Sequence, residues 1–389
     1  MIAQKGIPEI PEYQVPRMDE IKAIPWNGYS VVSTFSGCGG SCLGFEMAGF
    51  NILWASEFVP AAQDVYRHNH PGVHLDTRDI RQVSPDEILT CTGLQKGQLD
   101  VLEGSPPCAS FSTAGKREKH WGEVKKYSDT RQRTDDLFFE FVRILDGLQP
   151  KVFVAENVSG LVKGTAKGYF KEILAAMKAC GYNVKARLLD AQWLGVPQMR
   201  QRVIFIGVRN DIGLEPVHPH PLAYRYSVQD ALPWITKQGD NGGFGGGSMR
   251  EATGPSPTIG TGVQAGNVRF PPALVEADIS RYAIGREWDR LGQGEHSTRY
   301  FQLTKASVAL PSPTVTQTGG DLSAASVTHP TERRKFTIAE LKRICAFPDD
   351  FVLTGTYAQQ WERLGRAVPP VMMYHVARTI KDEILCKIK

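Results

Sequence analysis

A chain of 389 residues with 41% hydrophobic and 22% charged residues has the make-up of a globular protein, with room for one large domain and a smaller one. Its net charge of +4 is too small to imply a polyanionic partner from totals alone, and no apolar run approaches the roughly 18 residues of a membrane span. The first 22 residues lack the apolar core of a signal peptide, and the seven cysteines include no Cys-x-x-Cys pair, which argues against a disulfide framework or a zinc knuckle. No membrane and no metal are expected, and a reducing, cytoplasmic setting is.

Residues 1–28 are polar and Pro-spaced, and read as an extension lying on the domain surface. Tyr29–Phe35 is a β-rich run leading into Ser36-Gly37-Cys38-Gly39-Gly40. Leu43, Phe45, Met47 and Ala48 then continue as a helix that stops at Gly49. Strand, glycine turn and helix make a cradle in which backbone N–H groups approach an anionic or polar ligand, although Gly-x-Gly-Gly alone serves a tight turn equally well. Two acids add to it. Asn51–Ser56 reads as a second strand ending at Glu57, whose carboxylate could accept both hydroxyls of a ribose. Asp79-Ile80 follows a third short extended run, where Asp79 could accept from an adenine amino group while Phe35 offers a stacking face. The loop lacks the full dinucleotide fingerprint and a Walker lysine. An adenosine ligand without a pyrophosphate suits it better, and S-adenosylmethionine is one.

Leu99–Glu103 reads as a buried strand ending in the corner Gly104-Ser105-Pro106-Pro107-Cys108. The two prolines fix their own φ and keep the preceding residues extended, which presents Cys108 at the carboxyl edge where open α/β sheets bind ligands. A cysteine there is a candidate nucleophile; a structural cysteine behind a rigid turn is the alternative. Residues 116–133 then carry seven basic residues (Lys116, Arg117, Lys119, Lys125, Lys126, Arg131, Arg133) against Glu118, Glu123 and Asp129. That excess is either a solvated loop or a phosphate-contacting segment beside the nucleophile.

Asp135–Leu148 has the spacing of an amphipathic helix, and Val152–Ala155 is a strand running into Glu156-Asn157-Val158. A carboxylate at such a strand end is either solvated or aimed into the cleft with Cys108. Tyr169–Cys180 is a helix closed by Gly181. Lys185–Asp190 and Arg202–Val208 are strands flanking Gly195–Arg202. Arg200 and Arg202, two apart, share a face of an extended segment, so one can enter a pocket while the other holds backbone or phosphate. His218-Pro-His220 has no third ligand nearby and reads as a loop. Residues 211–333 are rich in Gly and Pro, hold eight Arg and two Lys, and read as a small, loop-rich, mostly β domain. Arg over Lys suits bidentate guanine readout and an ordinary surface alike. Gly254–Ile259 and Leu310–Val315 echo each other, and Ile338–Cys345 and Val371–Ile384 read as closing helices.

The ordered set Phe35-Ser-Gly-Cys-Gly-Gly, Pro106-Pro107-Cys108, Glu156-Asn157-Val158, Gln198-x-Arg200-x-Arg202, Arg334–Leu341, Phe347-Pro-Asp-Asp-Phe351 and Leu364–Pro370 resembles the DNA cytosine-C5 methyltransferases. The resemblance covers about residues 29–210 and 310–380. It implies an α/β fold: a Rossmann-like S-adenosylmethionine-dependent methyltransferase domain over 29–210, a small, mostly β and loop target-recognition domain over 211–333, and a return to the catalytic domain over 334–389. It further implies that Cys108 adds to cytosine C6, that Glu156 holds N3 and the exocyclic amine, that Arg202 contacts O2 beside Arg200, and that the base is flipped from duplex DNA. Phe35, Gly37, Gly39, Gly40, Glu57, Asp79, Ile80, Pro106 and Arg366 would line the cofactor. Ser110, Lys116, Arg117, Lys119, Arg131 and Arg133 would contact DNA. A monomer encoded by a bacterium or phage and acting at the nucleoid is expected. An RNA cytosine methyltransferase and a catalytically lapsed sequence-specific DNA-binding protein are the rival readings.

One residue departs from the pattern. The closing motif of the family reads Gly-Asn-x-Val-Pro, whereas this chain has Gly365-Arg366-Ala367-Val368-Pro369. Arg366 either swings to solvent or DNA phosphate, marks an inactivating change, or pairs with an anion that ordinary S-adenosylmethionine lacks near its transferred carbon. Carboxy-S-adenosylmethionine would carry such a carboxylate, which arginine binds with two parallel hydrogen bonds, and the product would be 5-carboxymethylcytosine.

Overall fold

In the computed structural model, which describes residues 10–107, 125–127, 130–132, 136–162, 167–235 and 276–388, the apolar runs pair into strands. In chain order these are β1 (Ser30–Thr34), β2 (Asn51–Ser56), β3 (His74–Asp76), β4 (Val101–Gly104), β5 (Lys125–Tyr127), β6 (Thr130–Gln132), β7 (Val152–Val158), β8 (Tyr182–Asp190), β9 (Gln201–Arg209), β10 (Thr304–Lys305) and β11 (Val327–Thr328). Seven of them form one sheet in the order β3-β2-β1-β4-β7-β9-β8. From β3 to β7 neighbouring strands run parallel, and β9 is antiparallel to both β7 and β8.

Parallel strands joined by helices need cover on both faces, which is why Val31-Val32 and Val152–Ala155 are apolar without alternation. Phe45, Met372, Met373, Val376 and Ile380 cover one face. Phe138, Phe141, Ile144, Ile173 and Met177 cover the other. Each such side chain contributes about 1.5–3 kcal/mol on burial. The helix Pro370–Glu383 crosses the helix Gly40–Met47 at Gly44, where a Cβ would stand 2.5 Å from the Pro370 carbonyl oxygen and 2.6 Å from the Met373 Cβ. Only glycine permits that approach. The last long helix is thereby seated directly on the helix that follows the glycine turn.

The chain steps outward from β1 to β2 and β3, then returns to pair β4 on the other side of β1. The carboxyl ends of β1 and β4 therefore border a crevice at a topological switch point, where open sheets take their ligands.

Several details differ from the sequence expectation. β7 runs past Ala155 because β9 pairs with it as far as Val158 opposite Arg202, so Glu156 lies within a strand. The extension contains a short helix, Met18–Lys22, whose preceding Arg17 N–H donates to Glu20 at 2.7 Å. Tyr13 is buried and donates to the Arg343 carbonyl. Between 211 and 333, the described residues include the short helices Val228–Ala231 and Ala283–Trp288, the 3-10 turn Gln317–Gly320 and the two-residue strands β10 and β11. Loops fill the rest around Ile279, Ile284, Trp288 and Leu303, as Pro- and Gly-rich sequence dictates. The repeat Gly254–Ile259 lies outside the described residues. Its partner, Leu310–Val315, is stitched to the segment before β9: Ser312 N–H donates to the Pro197 carbonyl and Met199 N–H to that of Ser312. His218 is buried with Nε2 at 2.9 Å from the Ile204 carbonyl oxygen, which gives it a structural place on β9.

Candidate active site

A cleft of about 1200 Å³ opens at the switch point. Its first wall is built from the ends of β1, β2 and β3. After β1 the backbone turns through Phe35 and Gly37, both left-handed (φ 55° and 58°), and the next helix begins at Gly40. At Gly40 a Cβ would meet the Val368 carbonyl oxygen at 2.4 Å, so the loop is pressed onto the C-terminal segment. Glu57, at the end of β2, accepts from the amides of Gly37 (2.8 Å) and Val59 (2.6 Å) and so ties the β1 loop to the β2 loop. Burial pushes its carboxyl up, opposed by those amides and by the Arg363 guanidinium. Each oxygen keeps a lone pair beyond the one used. Asp79 caps the turn Ile80–Gln82 through the Arg81 amide, and Arg81 bridges Asp79 (2.9 Å) and Asp136 (2.6 Å).

The second wall comes from β7 and β9. Antiparallel register sets Val158 opposite Arg202, which places Glu156 diagonal to Arg202 on one face. Their side chains meet at 2.7 Å (Nε to Oε1), 11% and 13% exposed respectively. Arg202 spends a second N–H on the Gln201 carbonyl. Arg200 does something different. It is buried, and its guanidinium donates to the carbonyls of Val315, Gly365 and Arg366. Burial, with Arg202 nearby, lowers it to about 9. Between the walls stands the Pro106-Pro107 corner, fixed to β7 by the Asn157 side-chain amide, which donates to the Pro106 carbonyl at 3.0 Å. Arg366, at the rim, pairs with Glu362 one helical turn earlier at 2.8 Å, and Glu362 also meets Arg363 at 3.1 Å.

A cleft at the switch point with a carboxylate–guanidinium pair in its wall, on this sheet order, narrows the choice of family, and sequence comparison decides it. Residues 29–382 match the profile of the C-5 cytosine-specific DNA methylases. The chain belongs to that family. It is 30% identical over 368 residues to the Type II methyltransferase M.NgoPII of Neisseria gonorrhoeae, covering 92% of this chain and 97% of that one. It is 33% identical over 356 residues to M1.HphI of Haemophilus parahaemolyticus, covering 90% and 86%. Spodoptera frugiperda DNMT2 shares the fold, with a TM-score of 0.61 at 18% identity over 91% of this chain and 100% of that chain. General DNA cytosine-5 methyltransferase activity follows from the family.

Of the residues expected to line this methylase's cofactor, Phe35, Gly37, Gly40, Glu57, Asp79, Ile80, Pro106 and Arg366 do line the cleft. Gly39 does not. Its Cβ position lies 2.2 Å from His70 Nε2, so the turn faces it inward. Glu156 and Arg202 meet within the cleft, whereas Arg200, expected beside them, fastens its floor to backbone carbonyls. Cys108, Ser110, Lys116, Arg117, Lys119 and Arg133 lie outside the described residues, and Arg131 is placed only as a position on β6. Sequence reasoning did not single out the Asn157 clamp, the Thr314–Thr318 stretch that lines the cleft, or Glu103. An acid inside the apolar run Val101-Leu102-Glu103 was the available signal for the last. Among the described residues no cluster of His, Cys, Asp and Glu could hold a metal ion, and no helix is long and apolar enough to cross a membrane.

Proposed function

We propose that this methylase transfers a methyl group from S-adenosylmethionine to C5 of a cytosine flipped out of duplex DNA. The observation that carries the reading is the Glu156–Arg202 pair in one cleft with Phe35, Glu57 and Asp79, the Pro106-Pro107 corner standing between them. The first wall fits the cofactor. Glu57 keeps acceptor capacity for a ribose, Asp79 for an adenine amine, and Phe35 gives a ring face, with Gly37 and Gly40 leaving backbone rather than side chains at the surface. When bound, S-adenosylmethionine supplies an electrophilic methyl group on a sulfonium.

The protein residues manage the ring. The Cys108 thiolate adds to C6, and the C5–C6 π electrons move toward C5 and the ring. Glu156 holds a proton at N3, and Arg202, using donors beyond those on Glu156 and Gln201, holds O2 as negative charge grows. After C5 forms its new bond to carbon, loss of the C5 proton restores the double bond and expels Cys108. Unstacking the base costs a few kcal/mol, which phosphate contacts of the basic residues after Cys108 offset.

Arg366 bears on the donor. Its pairing with Glu362 supplies an anion from the same helix, so a donor carboxylate is not required to balance it, and ordinary S-adenosylmethionine is favoured. The relatives named Type II methyltransferases favour duplex DNA over RNA and a restriction–modification role. An intact Glu156–Arg202 pair also speaks against lapsed catalysis. The decisive experiment incubates the protein and S-adenosylmethionine with duplex DNA containing 5-fluorocytosine. A covalent complex that forms with the wild type and is lost in Cys108→Ser supports the mechanism. Equal trapping by both proteins, or trapping on transfer RNA alone, would overturn it.

A further inference from the structure

Among the described residues, the acids that line the cleft are held by N–H donors: Glu57 by two amides, Asp79 by Arg81, Glu156 by Arg202, and Asp190 by Gln192. Glu103, which stands behind the lining of the cleft, is held differently. It lies on β4 between Ser33 of β1 and Val154 of β7, is 1% exposed, and among the described residues has no cation within ion-pair distance. Its partners are hydroxyls. Ser33 Oγ lies 2.6 Å from Glu103 Oε2, and Ser36 Oγ lies 2.8 Å from Ser33 Oγ. The buried hydroxyls of Ser41 and Ser105, not otherwise hydrogen-bonded, also face the carboxyl. Ser36, Ser41 and Ser105 all line the cleft.

A hydroxyl both donates and accepts, so this chain serves either protonation state. With Glu103 ionised, Ser36 donates to Ser33 and Ser33 to the carboxylate. With Glu103 protonated, it donates to Ser33, Ser33 to Ser36, and Ser36 turns to the Ser33 carbonyl 3.3 Å away. An acid built only to hold structure would instead be given fixed N–H donors. We propose that Glu103 is the proton-linked countercharge of the cleft: binding of a cationic sulfonium cofactor ionises it, and its proton leaves to solvent. The inference rests on S-adenosylmethionine being the donor.

The charges around Glu103 agree. Burial, with the Glu156 carboxylate on β7 adding like charge, pushes it up to about 7, against the pull of the serine hydroxyls. Cys42 on the helix Gly40–Met47 and Tyr66 behind it are themselves pushed up by burial and stay neutral. Glu46 adds negative charge beyond them, and Arg202 lies beyond Glu156. The sign follows. A cation in the cleft favours the ionised form and lowers the ionisation point of Glu103, so affinity for the cation rises with pH and levels off above about 7.

The test compares S-adenosylmethionine with S-adenosylhomocysteine, which shares every group except the methyl and the sulfonium charge. Calorimetric titration of the full chain at about pH 6 and about pH 8 should find the affinity ratio of the two ligands rising about five- to tenfold with pH, the size expected for a partly screened opposite charge. Proton release should accompany the cation alone. Glu103→Gln should flatten the ratio, and Ser33→Ala, which removes the donor to the carboxylate, should move its midpoint to higher pH. A ratio independent of pH in the wild type, or an unchanged rise in Glu103→Gln, overturns the proposal. So does an unmoved midpoint in Ser33→Ala. Failure of the wild type to bind either ligand would instead overturn the cofactor assignment on which the proposal stands.

Discussion

The two walls of the cleft differ in whether backbone amides hold their carboxylates. On the β1–β3 wall, Glu57 takes the backbone amides of Gly37 and Val59, and Asp79 caps its own turn. Those amides belong to the chain path and cannot swing away, and only Asp79 adds a side-chain partner there, Arg81 at 2.9 Å. On the β7–β9 wall, Glu156 is held by the side chain of Arg202. A carboxylate fixed by backbone is a preorganised receptor for a ligand whose charge does not change while bound. A carboxylate fixed by a side-chain cation can trade that partner for ligand atoms, as a ring whose charge develops during reaction requires. In the function proposed above, this difference separates recognition from chemistry within one crevice.

Substitutions can break this separation. The largest effect is expected at Glu156→Gln, which keeps the shape but cannot deliver a proton. Single-turnover transfer from tritiated donor should fall about 10²- to 10⁴-fold, while cofactor affinity measured without DNA stays put. A comparable loss of cofactor affinity would mean that the walls act as one unit. Glu57→Gln comes next. Losing a charge-assisted acceptor should weaken cofactor binding about ten- to a hundredfold in equilibrium dialysis, with the saturated rate nearly unchanged. A collapse of the saturated rate at saturating cofactor would refute the assignment of that wall to recognition.

The smallest effect is expected at Arg366→Asn. The Glu362–Arg366 pair is a partly exposed i,i+4 contact worth about 0.3–0.5 kcal/mol, so the melting temperature should barely move. Mass spectrometry of nucleosides should find 5-methylcytosine from both proteins. A 5-carboxymethyl product that appears with the carboxylated donor and vanishes in the variant would reinstate a donor-selecting Arg366.

Much of the first wall was legible from one dimension, because its parts are consecutive. Apolar runs marked β1, β2 and β4, the glycine turn followed β1 directly, and Glu57 falls on the residue after Ser56. The second wall was legible only as motif likeness. Nothing local in Gln198–Arg202 distinguishes the arginine that meets Glu156 from the one that ties down carbonyls, since both fall on one face of an extended run. Gly39 shows the reverse: it sits in the expected turn, but His70, just after the helix Pro60–Asn69, occupies the side that its hydrogen faces. The extent of β7 was likewise hidden, because β9 pairs with it beyond Ala155.

The chain by itself determined its strands, its proline corner and the acids that follow β2 and β3, since these depend on side-chain volume, φ restriction and near neighbours. Tertiary structure alone decided which partners those side chains would find. Strand register across β7 and β9 made Glu156 and Arg202 a pair, and the return of residues 312–316 and 365–366 gave Arg200 its carbonyls. The parallel pairing of β1 with β4 left Glu103 among hydroxyls instead of cations. Contacts between residues far apart in sequence are set by how the sheet closes, a property of the whole chain that no short stretch encodes.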